Sequence, residues 1–118
     1  MGLVGKQSGF LLDVCKLIQK AHDLGFIVTG GELYRTKDQQ QLYFAIGRSK
    51  TMDSMHCKRL AIDLNFFTQD DDVLELTYEK NDMQEAGDFW ESLHQDNQWG
   101  GNWTTFLDTC HFERRPRE

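Results

Sequence analysis

Leu60-Ala61-Ile62-Asp63-Leu64-Asn65-Phe66-Phe67 alternates: Leu60, Ile62, Leu64 and Phe66 are apolar, while Asp63 and Asn65 stand on the opposite face. A period of two marks a strand with one side on a core. Asp63 is the odd member, because a carboxylate set into such a strand either points to water or needs a cation or a donor beside it. Upstream, Leu11, Leu12, Cys15, Leu17, Ile18 and Ala21 recur at helical spacing over residues 8–24. Gly25 ends that pattern where a left-handed C-cap is common. Residues 26–29 read as a short strand broken by Gly30-Gly31, and Thr36 is a good N-cap for a helix over 37–46 closed by Gly47. Residues 48–54 form a polar loop. Downstream, residues 68–80 are expected to be loop, since Asp70, Asp71 and Asp72 repel one another. A third helix is expected over 83–96, with Phe89, Trp90 and Leu93 as its buried stripe, followed by a glycine- and aromatic-rich loop over 98–103. Residues 110–114 read as a strand with Cys110 and Phe112 inward and His111 and Glu113 on the other face. Without a βαβ rhythm the pattern predicts an α+β fold, a small, mostly antiparallel sheet packed with about three helices.

The 118 residues suit a single domain spanning 1–118. A net charge of −6 argues against a nucleic-acid partner, which needs clustered Lys and Arg. The one dense basic run, Arg114, Arg115 and Arg117, reads as a solvated tail. No apolar stretch approaches the roughly 20 residues of a membrane span, and residues 1–9 lack the pattern of a secretory signal. Cys15, Cys57 and Cys110 cannot all pair within one chain, which favours a reducing compartment. A monomer made in a cytoplasm is expected.

The chemistry lies with the histidines. A hydrolytic zinc site takes three His or carboxylate ligands, leaves one position open, and needs a carboxylate nearby to handle the proton of water. His22 and His94 fall on the predicted helices with no distinctive partner and read as surface or core residues. His56 lies just before the alternating strand that carries Asp63, and His111 lies three residues after Asp108. Spacing alone leaves both Asp63 and His111 open to an ordinary structural reading.

Ser54-Met55-His56-Cys57-Lys58-Arg59-Leu60-Ala61-Ile62-Asp63 resembles the S-x-H-x-x-G-x-A-x-D signature of the zinc D-alanyl-D-alanine carboxypeptidase and L-alanyl-D-glutamate endopeptidase family. Asp108-Thr109-Cys110-His111-Phe112-Glu113 resembles its second signature. Tyr34-Arg35-Thr36 with Gln39-Gln40 and Trp99-Gly100-Gly101-Asn102-Trp103 resemble two further elements in the right order. The likeness runs from about Leu3 to Glu113 and is greatest to the compact phage lysins.

The resemblance implies the fold shared with hedgehog signalling domains and a Zn2+ held by His56, Asp63 and His111. It implies Asp108 as general base, Arg35 near the scissile carbonyl or a substrate carboxylate, and Ser54 and Gln40 as substrate-binding residues. The substrate would be the peptidoglycan stem peptide, cut at its L-alanyl–D-glutamate bond. D-alanyl-D-alanine carboxypeptidase activity and a non-catalytic zinc module are the alternatives. Such a lysin would be made in the host cytoplasm and would act on the wall after release. If the three ligands lay more than about 8 Å apart, this reading would be lost.

Several residues depart from the pattern or stay open. Arg59 replaces the usual Gly: either it takes a costly positive φ or the turn adjusts, and it has a second reading as a contact for anionic substrate. Cys57 and Cys110 flank ligands, but the core-side parity of Cys110 speaks against a thiolate ligand. Glu113 either orients a ligand or faces water. Trp99 and Trp103 either cap the core or line a groove. The wall is anionic and this chain is acidic, so steering calls for a local positive patch around zinc, Arg35 and Arg59.

Overall fold

A computed structural model describes residues 2–117, so the outermost residues of the expected 1–118 domain, Met1 and Glu118, lie outside the described residues. The elements are α1 (Leu3–Asp23), β1 (Ile27–Gly30), α2 (Lys37–Ala45), a 3-10 turn (Met55–Lys58), β2 (Ala61–Asp70), β3 (Val73–Thr77), α3 (Lys80–Leu93), β4 (Asn97–Trp99), a second 3-10 turn (Gly100–Asn102) and β5 (His111–Arg114). The fold is α+β, as the sequence predicts. Its five strands pair antiparallel in the order β1-β2-β5-β4, with β3 on the far half of β2.

The alternating stretch is the central strand. Its apolar face buries Leu64 and Phe66, and Phe112 of β5 stacks between Phe66 (6.0 Å) and Trp99 (6.4 Å). Phe10 of α1 meets Trp90 of α3 edge-on at 5.5 Å, so the two long helices share the core with the sheet. Burying these aromatic rings together with the aliphatic core around them drives folding, at roughly 25 cal/mol per Å² of apolar surface.

Several boundaries differ from the sequence reading. Residues 68–80 are not a loop: β2 runs on to Asp70, turns through Asp71 and Asp72, and returns as β3 with Asp70 opposite Val73. Both turn residues take positive φ (48° and 68°), the two-residue hairpin geometry that Asp tolerates better than most residues. Charge repulsion is relieved by solvent rather than by loss of the strand. The first helix begins at Leu3 rather than at residue 8, and Gln7 Nε2, one turn in, donates to Lys58 O at 2.8 Å and ties this end to the 3-10 turn. The third helix spans Lys80–Leu93 instead of 83–96. Its start is fixed by the Thr77 hydroxyl, which donates to Asp82 Oδ2 (2.7 Å) and accepts from Glu79 N (3.1 Å). At the other end Asn97 Nδ2 donates to the Trp90 carbonyl at 3.0 Å. The fully buried stripe of α3 is Met83, Ala86, Gly87 and Trp90, with Phe89 and Leu93 only half-buried beside it. Gln98 and Trp99 belong to β4, because this stretch pairs with Glu113 and Phe112 of β5.

The basic tail is also corrected. Arg114 is buried, paired with Asp13 of α1 and donating to Asn97 Oδ1 at 2.9 Å. Removing one member of a buried pair leaves an uncompensated charge, so Arg114 locks β5 onto α1.

Candidate metal centre

Asp63 and His111 are register partners on β2 and β5. Residues directly opposite in an antiparallel pair point to the same face, which is why they meet across 48 positions of sequence. His56 is brought in by the 3-10 turn. The Ser54 hydroxyl caps that turn, accepting from His56 N at 3.2 Å. Arg59 closes it in the left-handed region, φ 55°, ψ 38°. The positive φ left open by the sequence is therefore real, and Arg takes it. Its guanidinium lies 4.0 Å from the Tyr34 ring, a stacking contact that offsets part of the backbone cost.

His56 Nε2, Asp63 Oδ1 and His111 Nδ1 converge, one ligand atom from each residue lying within 4.8 Å of the others. Asp63 Oδ1 is 3.4 Å from His56 Nε2 and 3.3 Å from His111 Nδ1. Two donors at tetrahedral zinc distances are separated by about 3.3 Å, so both spacings from Asp63 fit that ion. The protonation pattern agrees. His56 Nδ1 lies 3.0 Å from Leu33 O, a carbonyl that only accepts, so Nδ1 carries the hydrogen and Nε2 turns its lone pair toward a carboxylate. Two acceptors facing each other require a proton or a cation between them. His111 has a carboxylate at each nitrogen, with Glu113 Oε1 2.8 Å from Nε2.

Electrostatics follow from this packing. Burial alone would raise Asp63, but hydrogen bonds from His111 and His56, with their charge, outweigh it and hold its carboxyl far below the usual range. Burial would lower His111, yet hydrogen bonds to Asp63 and Glu113 lift it to about 9. Burial likewise opposes ionisation of Glu113, and its bond to His111 and the charges of His111 and Arg115 win and lower it. Glu113 is thus not facing water: it is 2% exposed and also accepts from Arg115 Nε at 2.9 Å. It orients His111 in the manner usual for metal-ligating imidazoles.

The three donors open into a cavity of about 360 Å³, which Asp108, Arg35 and Ser54 also line. Asp108 is held by the 100–102 turn, its N–H donating to Gly100 O at 3.0 Å. A Cβ on Gly100 would come within 2.2 Å of Asp108 O, so only glycine admits this approach. Arg35 donates from Nε to Glu32 Oε1 and from Nη1 to Gln40 Oε1, both at 2.6 Å. Gln40 corrects its predicted role. It is fully buried and does not line the cavity. Its amide braces Arg35 on one side and Ser49 Oγ (2.8 Å) and Thr51 O (2.5 Å) on the other.

The two tryptophans divide. Trp99 is core, whereas Trp103 lines the cavity 5.1 Å from the His111 ring. Neither cysteine belongs to the converging group among the described residues. Burial pushes the Cys110 thiol up to about 12, with Asp108 and Asp63 adding to it, so it stays a thiol. His22 and His94 also lie outside the group. Arg59 is not on the cavity wall. Arg48, Lys50, Tyr43 and Phe106 are, and sequence reasoning missed all four. The basic Gly47-Arg48-Ser49-Lys50 run just past a helix was the available signal.

Residues 47–114 match the family model described as D-alanyl-D-alanine carboxypeptidase. Among solved structures, the crystal structure of the Serratia marcescens L-Ala D-Glu endopeptidase ChiX superposes with a TM-score of 0.67 at 20% identity, covering 94% of this chain and 84% of that one. At that identity the likeness speaks to the fold. Comparison with curated proteins gives no match.

Proposed function

This chain belongs to the D-alanyl-D-alanine carboxypeptidase family of peptidases, and from that premise we propose that it is a zinc-dependent peptidase of the peptidoglycan stem peptide. The convergence of His56 Nε2, Asp63 Oδ1 and His111 Nδ1 in a cavity shared with Asp108 carries this reading. Zinc held by these residues would acidify water and polarise the scissile carbonyl. Asp108 accepts the proton of the attacking water on a carboxylate oxygen and returns it to the leaving amine. The Arg35 guanidinium, fixed by Glu32 and Gln40, stabilises the oxyanion that develops at the carbonyl. Ser54, which holds the 3-10 turn, offers its hydroxyl to the substrate backbone. The Leu33 carbonyl on His56 and the Glu113 carboxylate on His111 keep the two imidazoles in their ligating orientation.

The bond we assign is L-alanyl–D-glutamate, and the role that of a phage lysin. The enzyme works as a single domain, is made in the host cytoplasm, and meets its substrate in the wall after release. The name of the structural neighbour supports the bond; the description of the family model favours D-alanyl-D-alanine carboxypeptidase activity as the second reading. Digestion of purified wall, with and without a chelator, followed by mass analysis of new termini separates them. A new glutamate amine, lost on chelation and restored by zinc, is the expected product. Released D-alanine would assign the carboxypeptidase, and chelator-insensitive cleavage would remove the metal from the mechanism.

A further inference from the structure

We propose that Arg48 and Lys50 form a carboxylate subsite on the cavity wall, selecting peptides with a free acidic group on the residue beside the scissile bond. The inference rests on the peptidase reading above and deepens it. Glutamate linked through one of its two carboxyls keeps the other free, so a stem peptide cut before D-glutamate presents such a group on the leaving side.

The loop bearing these cations is built rather than loose. Gly47 turns the chain at φ 80°. The N–H groups of Arg48 and Ser49 both donate to Tyr43 O, at 2.8 and 3.2 Å. The buried Gln40 amide then grips Ser49 and Thr51 on either side of Lys50. The same Gln40 holds Arg35, so one buried side chain sets the loop relative to the guanidinium assigned to the oxyanion.

Charge supplies the second argument. The Arg48 and Arg35 guanidinium carbons lie 4.8 and 4.7 Å from the same Tyr43 ring, so that ring places both cations on one stretch of the cavity wall. Arg35 is answered by Glu32. Among the described residues, Arg48 and Lys50 take part in no ion pair. Lys50 Nζ sits 5.9 Å from the Phe106 ring on the cavity wall. An anion entering here is attracted by both cations and displaces no existing ion-pair partner. A chain of net charge −6 thus keeps on the wall of its cavity two cations that have no ion-pair partner among the described residues. This is the local positive patch that an anionic substrate calls for, formed by Arg48 and Lys50 in place of Arg59.

The test uses zinc-loaded protein and two synthetic stem-type peptides containing an L-alanyl–D-glutamate bond. They differ only in whether the free glutamate carboxyl is a carboxylate or a carboxamide. Cleavage is followed by chromatography, and binding by calorimetry on the Asp108→Ala protein. The carboxylate peptide is expected to be favoured at least tenfold in kcat/KM and in Kd. In an Arg48→Gln/Lys50→Gln variant that ratio falls to near one, while the charge-preserving Arg48→Lys/Lys50→Arg exchange retains it. Equal treatment of the two peptides by the parent protein, an unchanged ratio in the double Gln variant, or binding of neither peptide overturns the subsite. If carboxylate-selective binding depends on the two cations but neither peptide is cut, the subsite stands and the peptidase reading is what fails. Should the double variant not fold, the single Gln variants are each expected to lower the ratio, and ratios unchanged in both overturn the proposal.

Discussion

Replacing Glu113 by Gln separates the metal ion's hold on His111 from the proton's. The Glu113 carboxylate accepts from His111 Nε2 at 2.8 Å through one oxygen and from Arg115 Nε at 2.9 Å through the other. Gln keeps the volume but has a single acceptor. Whichever way its amide turns, an NH2 faces one of two donors, and that donor is left without a partner. Toward His111 the Gln then offers either an NH2 or a neutral carbonyl in place of a carboxylate, and weakening the outer partner of a metal-ligating His costs about 10–100-fold in affinity, or about 1.4–2.8 kcal/mol. A second effect runs the other way. In the metal-free protein His111 titrates at about 9, so below that pH zinc must displace a proton. Gln weakens the proton's hold as well as the metal's. The two effects partly cancel at pH 7 and cease to cancel near pH 9. Chelator-competition titrations should therefore show a loss of a few-fold at neutral pH growing toward 10–100-fold near pH 9. Equal zinc affinity of parent and variant near pH 9 would refute the role given to Glu113.

Further outcomes are expected at three other positions. Asp108→Ala should retain zinc by metal analysis yet lose about 10²–10⁴-fold in wall cleavage; undiminished lysis would reject Asp108 as the base. Arg59→Val should lower stability by about 1–3 kcal/mol in denaturant titration, because a β-branched residue is forced to φ 55°. Arg59→Gly should stay within about 1 kcal/mol of the parent, relief of the backbone offsetting the lost contact with Tyr34; similar losses in both would remove the strain argument. Gly87→Ala places a Cβ within 2.1 Å of the buried Trp99 ring. Overpacking of that kind should cost about 3 kcal/mol or more, and an unchanged Tm would show that the ring has room to move.

Where the sequence misread an element, the deciding contact was remote or charged. The hairpin through Asp71 and Asp72 was hidden because three adjacent carboxylates read as repulsion, while the αL tolerance of Asp and the pairing with β2 prevailed. Arg114 read as tail because its partner, Asp13, lies 101 residues away. Gln40 read as a substrate contact because its motif position is silent about which way an amide faces. Arg48 and Lys50 drew no notice because exposed cations after a helix are ordinary until a cavity is found beneath them.

Local chemistry was legible without coordinates. Alternation fixed the β2 strand, Thr36 capped its helix as read, accepting from Gln39 N at 3.1 Å, and two ordered motifs named His56, Asp63 and His111. Those properties depend on neighbours a few residues apart, and the chain states such neighbours directly. Tertiary structure alone decided that Asp63 sits opposite His111, that the free nitrogen of His56 faces the same carboxylate oxygen, and that Glu113 is buried against the second imidazole. Coulomb and hydrogen-bond energies depend on separation in space over a few ångströms, and positions 56, 63 and 111 acquire such separations only when β2 and β5 close into one sheet.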